Sequence, residues 1–412
     1  MYRWQAIVAA AGIVGLQGNT VSAQTITVLT EAQALERMRT EHPQARALRF
    51  GVQELEAEVR ERTLMPNPTV SYTREGAGIS VDDFLLVTQA LPVPGRAGLL
   101  GEAAGWATTA AQADAEATLL SLATDLRLGF TDLLVAQERL GILGEAARTL
   151  TRLVDVLRER EAEGEGSRFD RLRAEREIAD VETEHEEAAI SRLDAQARLS
   201  AFFAPGLDPR ALRAAGSVTD GGDVPALDPL MIGLLDQRPD YRALMLEEAR
   251  WDAERRAAER LSYPVASLSA GLKRAGPDGA RSSGYAVTAS VAVPLFNHGQ
   301  SQVARAEAAQ ARLGAARDVL GARITSEVRV AHVAASRYHA LADRYRADSL
   351  EAADELLVIA GTAYEEGEYG ILELLDAHRV VLGARLRLLH LSATARKAGI
   401  NLDRAVGGKT LP

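Results

Sequence analysis

Two acidic side chains, Glu373 and Asp376, stand three residues apart just beyond a glycine-punctuated break, Gly367-Glu368-Tyr369-Gly370. Residues at that spacing share one face of a helix, so both carboxylates can project in one direction. If several copies of the chain meet around an axis, each carboxylate becomes a ring of like charges. Such a ring raises its own proton affinity, attracts cations and can set the ion preference of a narrow aperture. Asp170 follows a similar break, Gly164-Glu165-Gly166-Ser167. A solvated helix face would carry the same residues, so their meaning depends on the elements that hold them.

Other chemistries find little support. The 412 residues include no cysteine, which removes disulfides, thiolate metal sites, Cys nucleophiles and a lipidated N-terminal Cys together. His42, His185, His298, His332, His339, His378 and His390 are scattered, with no i, i+4 pair beside a Glu of the zinc-protease kind. No glycine loop matches a nucleotide-binding pattern, and Gly166-Ser167 lacks the strand, turn and helix setting of a nucleophile elbow. A formal charge of −10 argues against a phosphate-backbone partner. The expectation is therefore no enzyme, no catalytic residues, no cofactor, no resident metal and no nucleic acid.

The start of the chain reads as an export signal. Arg3 precedes an apolar run from Ala6 to Leu16, and small residues end at Val21-Ser22-Ala23, which predicts a signal peptide over 1–23. Beyond it no apolar stretch reaches the roughly 18–20 residues of a membrane-spanning helix. An exported chain of this kind can enter a bilayer only as β-strands.

The remainder repeats itself. His42-Pro43-Gln44-Ala45-Arg46-Ala47-Leu48 aligns with Arg238-Pro239-Asp240-Tyr241-Arg242-Ala243-Leu244, Ala90-Leu91-Pro92 with Ala292-Val293-Pro294, and Gly164 with its Asp170-x-Leu172-x-Ala174 with Gly367 and its Glu373-x-Leu375-x-Ala377. This predicts a first repeat over 24–205, a linker over 206–229, a second repeat over 230–405 and a tail over 406–412. Each repeat should contain a helix, a β-hairpin (about 68–91 and 264–293), a long helix (about 97–162 and 300–365) and a return helix (about 168–203 and 371–405).

Proline placement supports the long helices, since none occurs between Pro94 and Pro205 or between Pro294 and Pro412. In the second tract Ile324, Val328, Ala331, Ala335, Tyr338, Ala342, Tyr345, Ser349, Ala352, Leu356, Ile359 and Ala363 follow an unbroken 4,3 spacing, which predicts one continuous coiled-coil seam. In the hairpins, Tyr285, Val287, Ala289, Val291 and Val293 alternate with Ala286, Thr288, Ser290 and Ala292, as a half-buried strand does. The first hairpin is expected to turn at Gly76-Ala77-Gly78, and the second through a loop from Ala275 to Gly284.

Four strands cannot close a wall around a pore, and an open edge in lipid leaves backbone groups unpaired. Neighbouring copies must then complete the edges. Three would supply twelve strands, and larger rings would also close.

These residues resemble the outer membrane efflux protein family, to which TolC belongs. The resemblance spans the mature chain and rests on Arg238-Pro239-Asp240-Tyr241-Arg242-Ala243, on Val293-Pro294-Leu295-Phe296-Asn297-His298-Gly299, and on Tyr364-Glu365-Glu366-Gly367 followed by Leu375-Asp376-Ala377. It implies a mainly α fold with a small β component: a homotrimeric α-helical barrel continued by a 12-stranded transmembrane β-barrel, in the outer membrane with a long periplasmic extension. It further implies a passive exit duct coupled through a periplasmic adaptor (membrane fusion) protein to an inner membrane efflux pump. Gly164, Gly166, Ser167, Gly367, Glu368 and Gly370 then fall at adaptor-docking tips, and Glu373, Asp376 and Asp170 near an ion-selective aperture. The chain departs from TolC at Tyr369, where TolC has a basic residue, so a salt-bridge lock there could be replaced at most by a tyrosine hydrogen bond. A periplasmic coiled-coil scaffold or adaptor is the competing reading; it would require a lipoyl-like or barrel domain in place of duplicated hairpins.

Overall fold

The structure is a computed structural model that describes residues 26–219, 222–277 and 279–408. The expected signal segment lies outside the described residues, as does the end of the expected tail. The chain opens with a short strand β1 (Thr27–Leu29) and helix α1 (Glu31–Glu41), whose Thr30 cap and Gln33 bond each other's backbone reciprocally. Helix α2 (Pro43–Thr63) leads into strands β2 (Thr69–Ala77) and β3 (Ser80–Ala90). Then come the 68-residue helix α3 (Arg96–Glu163) and its return partner α4 (Arg168–Ser200). At about 1.5 Å per residue α3 is roughly 100 Å long.

The stretch expected to be a plain connector contributes structure. Strand β4 (Leu212–Ala214) pairs in parallel with β1, and Leu212 and Val218 are fully buried in a core shared with Met38, Leu126, Phe130 and Leu199. Short helices α5 (Leu227–Met231) and α6 (Leu234–Gln237) precede α7 (Pro239–Glu259), strands β5 (Val265–Ala275) and β6 (Ser282–Ala292), and α8 (Gln300–Tyr345). A single π turn, Arg346–Leu350, joins α8 to α9 (Glu351–Glu365), and α10 (Ile371–Ala405) returns. Among the described residues no helix is long and apolar enough to cross a membrane.

The π turn corrects the expected seam. Ile324, Val328, Ala335 and Ala342 are buried as predicted, and so is Ala363, but beyond the turn the other buried residues are Ala353 and Ala360, with Leu350 and Leu357 packed beside them. Leu356 and Ile359, expected on the seam, are about half exposed. A π turn admits one extra residue into the helix, so every later side chain rotates and the inward face moves one position along the chain. The apolar spacing could not reveal this, because Ala and Leu occupy both phases.

The hairpins also shift at their ends. Gly76 and Ala77 belong to β2, Ala77 pairs with Ser80, and the turn is Gly78-Ile79; β6 starts at Ser282 inside the expected loop. All four strands form one antiparallel sheet in the order β2-β3-β5-β6.

Two family-like motifs have mechanical roles here. Gly299 begins α8 with φ +93°, and a Cβ on it would lie 2.3 Å from the Ala258 carbonyl oxygen, so glycine is required on both counts. Arg238 is 8% exposed and hydrogen-bonds the Ala405 carbonyl at 2.9 Å, closing the C-terminus of α10, while its other nitrogens grip both Asp240 oxygens at 2.9 and 2.6 Å. The bonds to Asp240 raise the guanidinium's proton affinity further. Burial alone would raise the Asp240 carboxyl, but the Arg238 hydrogen bonds and charge outweigh it and hold it below the ordinary value. The matching His42 instead accepts from Gln44 N and caps only its own helix. Arg238→Ala should therefore destabilise the chain by about 2–3 kcal/mol, by stranding a carboxylate and a helix-end carbonyl. Urea unfolding checks this, and His42→Ala should cost less than half as much.

Candidate functional site

The two tips are built alike. At the first, Gly164 ends α3 with φ +84°, and Glu165 N–H reaches back to the Arg160 carbonyl at 2.9 Å. At the second, Gly367 adopts φ +76° and Glu368 N–H reaches the Ala363 carbonyl at 2.8 Å. Each is a helix end closed by a left-handed glycine and a long backward hydrogen bond. Gly166 is confined because a Cβ there would sit 2.7 Å from Glu161 N, and Ser167 caps α4 by accepting from Phe169 N at 3.2 Å. Gly370 caps α10 without a side chain.

The three acids of the expected aperture stand on two helices, Asp170 on α4 and Glu373 and Asp376 on α10. Asp170 is half-buried in the first turn of α4, where the helix N-terminus favours negative charge. Glu373 and Asp376 are both exposed on α10. The Glu373 carboxylate folds back over the start of α10, 3.2 Å from the position a Gly370 Cβ would take, whereas Asp376 acts electrostatically on Arg379. Among the described residues no hydrogen bond joins Tyr369 to Asp170. The Tyr369 ring is about half exposed, and its amide bonds the Ala363 carbonyl.

A pair that the sequence reading passed over links the two return helices one turn above Asp376. Arg379 of α10 binds both carboxylate oxygens of Glu177 on α4, through Nε at 2.7 Å and through Nη2. Glu177 is 7% exposed, and its hydrogen bonds hold the Arg379 guanidinium above its ordinary value. The available signal was a carboxylate inside an apolar rhythm, since Glu177 lies three after buried Ala174 and four before buried Val181. Next to Arg379, the half-buried His378 is held below its ordinary value of 6.5 by desolvation.

The sheet forms the other half of the site, and its register sorts side chains by face. Tyr72, Leu85, Leu272 and Tyr285 lie in one row across all four strands, and Val70, Val87, Ala270 and Val287 lie in the next. Most of these large side chains are exposed, with Tyr285 at 84%. The opposite face carries Ser71, Thr73, Thr88, Ser267, Ser269, Thr288 and Ser290, with Thr88 and Ser269 hydroxyls 2.8 Å apart. On that face Lys273 pairs with Asp82 at 2.8 Å and covers the Phe84 ring. The sheet thus sets an apolar face against a mostly polar one.

Comparison with known proteins agrees with this geometry. The model of the "Outer membrane efflux protein" family matches residues 232–408. The "Cobalt-zinc-cadmium resistance protein CzcC" of Cupriavidus metallidurans is 27% identical over 301 residues, spanning 71% of this chain and 70% of that protein. A membrane protein from Pseudomonas aeruginosa superposes with a TM-score of 0.74 at 19% identity over 99% of both chains. The open-state MtrE outer membrane channel of Neisseria gonorrhoeae does so with 0.72 at 20% identity, over 92% of this chain and 89% of that one.

The half-buried His378 generates a pH prediction. Folding holds its imidazole harder to protonate than in the unfolded chain, so the associated stability is complete above 6.5 and is lost as pH falls through and below that value. Hydrogen exchange in the first turns of α10, corrected for intrinsic rates, should quicken between about pH 8 and about pH 5, and His378→Gln should flatten that change.

Proposed function

We infer, from a chain that belongs to the outer membrane efflux protein family, a passive homotrimeric exit duct in the outer membrane, docked by its helix tips to a periplasmic adaptor and thereby to an inner membrane pump. The observation that carries this reading is the sheet. It has an apolar face, a polar face, and two strands, β2 and β6, each with one edge unpaired among the described residues. In hydrocarbon those edges must find partners. Pairing β2 of one copy with β6 of the next closes twelve strands around a polar lumen with three copies. The long helices α3 and α8–α9 would then extend that lumen by roughly 100 Å as a second, helical barrel.

At the far end, Gly164, Gly166, Ser167, Gly367, Glu368 and Gly370 offer an adaptor hairpin two similar rigid turns per copy. Threefold symmetry multiplies Glu373 and Asp376 into acidic rings, which suits cations. Asp170, at the start of α4, adds a third acid close to the tips. The name of the curated relative points the same way, and we take divalent metal ions as the cargo class to test first. Energy comes from the pump, and the duct contributes selection and gating.

The detergent-extracted protein should run as a heat-modifiable trimer and give cation-preferring conductance in planar bilayers. Changing Glu373 and Asp376 together to Ala should lower that preference several-fold and increase leakage. A stably folded lone subunit with no conductance would sink the duct, and unchanged selectivity in the double variant would remove the aperture assignment alone.

A further inference from the structure

The apolar face of the sheet ends in charge. One step beyond the tyrosine row, Arg74, Asp83, Arg274 and Ser283 form the next row across all four strands. Arg281 reaches this row from the loop and bonds Asp83 at 2.8 Å, Arg74 approaches Asp83 at 3.7 Å, and the Tyr72 hydroxyl donates to it at 2.8 Å. Two guanidiniums thus reach one carboxylate, and Arg274 stands beside it in the same row. The opposite face of the rim has the reverse bias, with Glu75 and Asp82 against Lys273.

We propose that this outward row is a binding site for the phosphates of a phosphorylated lipid in the leaflet around the strand turns. The proposal rests on the barrel reading. From Val293 to Tyr285 the apolar positions run eight residues, about 26 Å along the strand, the scale of the apolar band of such barrels. The tyrosines sit at its upper boundary, and the arginines lie about 7 Å beyond, at headgroup depth. Guanidinium forks match phosphate oxygens, and tethering Arg281 and Arg74 to Asp83 reduces the freedom lost on binding. A soluble anion would need none of the apolar rows beneath the charges. A lipid uses both.

The test titrates the purified full chain, in neutral detergent, with diphosphorylated lipid A and with the same lipid after dephosphorylation, and reads bound lipid by native mass spectrometry. The wild-type protein should prefer the phosphorylated form, and changing Arg74, Arg274 and Arg281 to Gln should weaken that preference by roughly fivefold per guanidinium. Lys273→Gln, on the other face, should leave it unchanged, and Ser283→Lys, which adds a charge to the row, should raise it. Equal binding of the two lipids, indifference of Ser283→Lys, or displacement by inorganic phosphate at matched phosphate concentration would overturn the site. Trimer formation and conductance in pure phosphatidylcholine are measured alongside. If both persist while lipid preference is absent, only the lipid site fails; if neither forms, the barrel reading falls and the site with it.

Discussion

An unpaired strand edge costs little in water and several kcal/mol per backbone group in hydrocarbon. Among the described residues the sheet β2-β3-β5-β6 has two such edges and an exposed face of Val, Leu and Tyr, and on the duct reading lipid and neighbouring copies cover them. The internal duplication accounts for this incompleteness. Each half brings one hairpin, β3 and β5 pair to join them, and the outer edge of each hairpin stays open. On the duct reading, symmetry between copies continues what symmetry within the chain began.

Helices of this length need definite beginnings and ends, and the chain provides them with glycine where the backbone turns left-handed. Gly299 turns the chain from sheet to helix beneath the Ala258 carbonyl, and Gly164 and Gly367 close the far ends with the same backward hydrogen bonds. Between these points the helices are held by small residues and by a few buried polar ties. Arg127 is one tie, bonding Glu31 of α1 at 2.6 Å and Asp403 of α10 at 2.5 Å, and Arg396 reaches Glu31 from the other side at 2.5 Å. Buried pairs of this kind specify register more than they add stability, because desolvation offsets much of their attraction. Near the tips the pair of Arg379 with Glu177 is buried on one side only, since Arg379 is 58% exposed, and among the described residues Tyr369 makes no hydrogen bond to Asp170.

What the sequence determined by itself was whatever depends on local periodicity and on residues with few conformational options. Proline-free tracts, alternating strand residues and glycine breaks marked the helices, hairpins and tips, and the landmarks Arg238-Pro239-Asp240 and Glu365-Glu366-Gly367, in family order and matched in the first half by His42-Pro43-Gln44 and Gly164, resembled those of the outer membrane efflux family. The acids Glu373, Asp376 and Asp170 could be singled out from their places after those breaks. Their surroundings could not.

Only the tertiary structure decided the phase of the seam beyond Tyr345, the pairing of β3 with β5, the use of the linker as strand β4, and the partners of Arg379 and Arg238. The physical reason is common to all four. A π turn, a sheet edge, a crossover strand and a long guanidinium arm each join residues far apart in sequence, or shift a face by one position. An Ala-rich, Arg-rich chain offers several partners that look alike until packing excludes all but one.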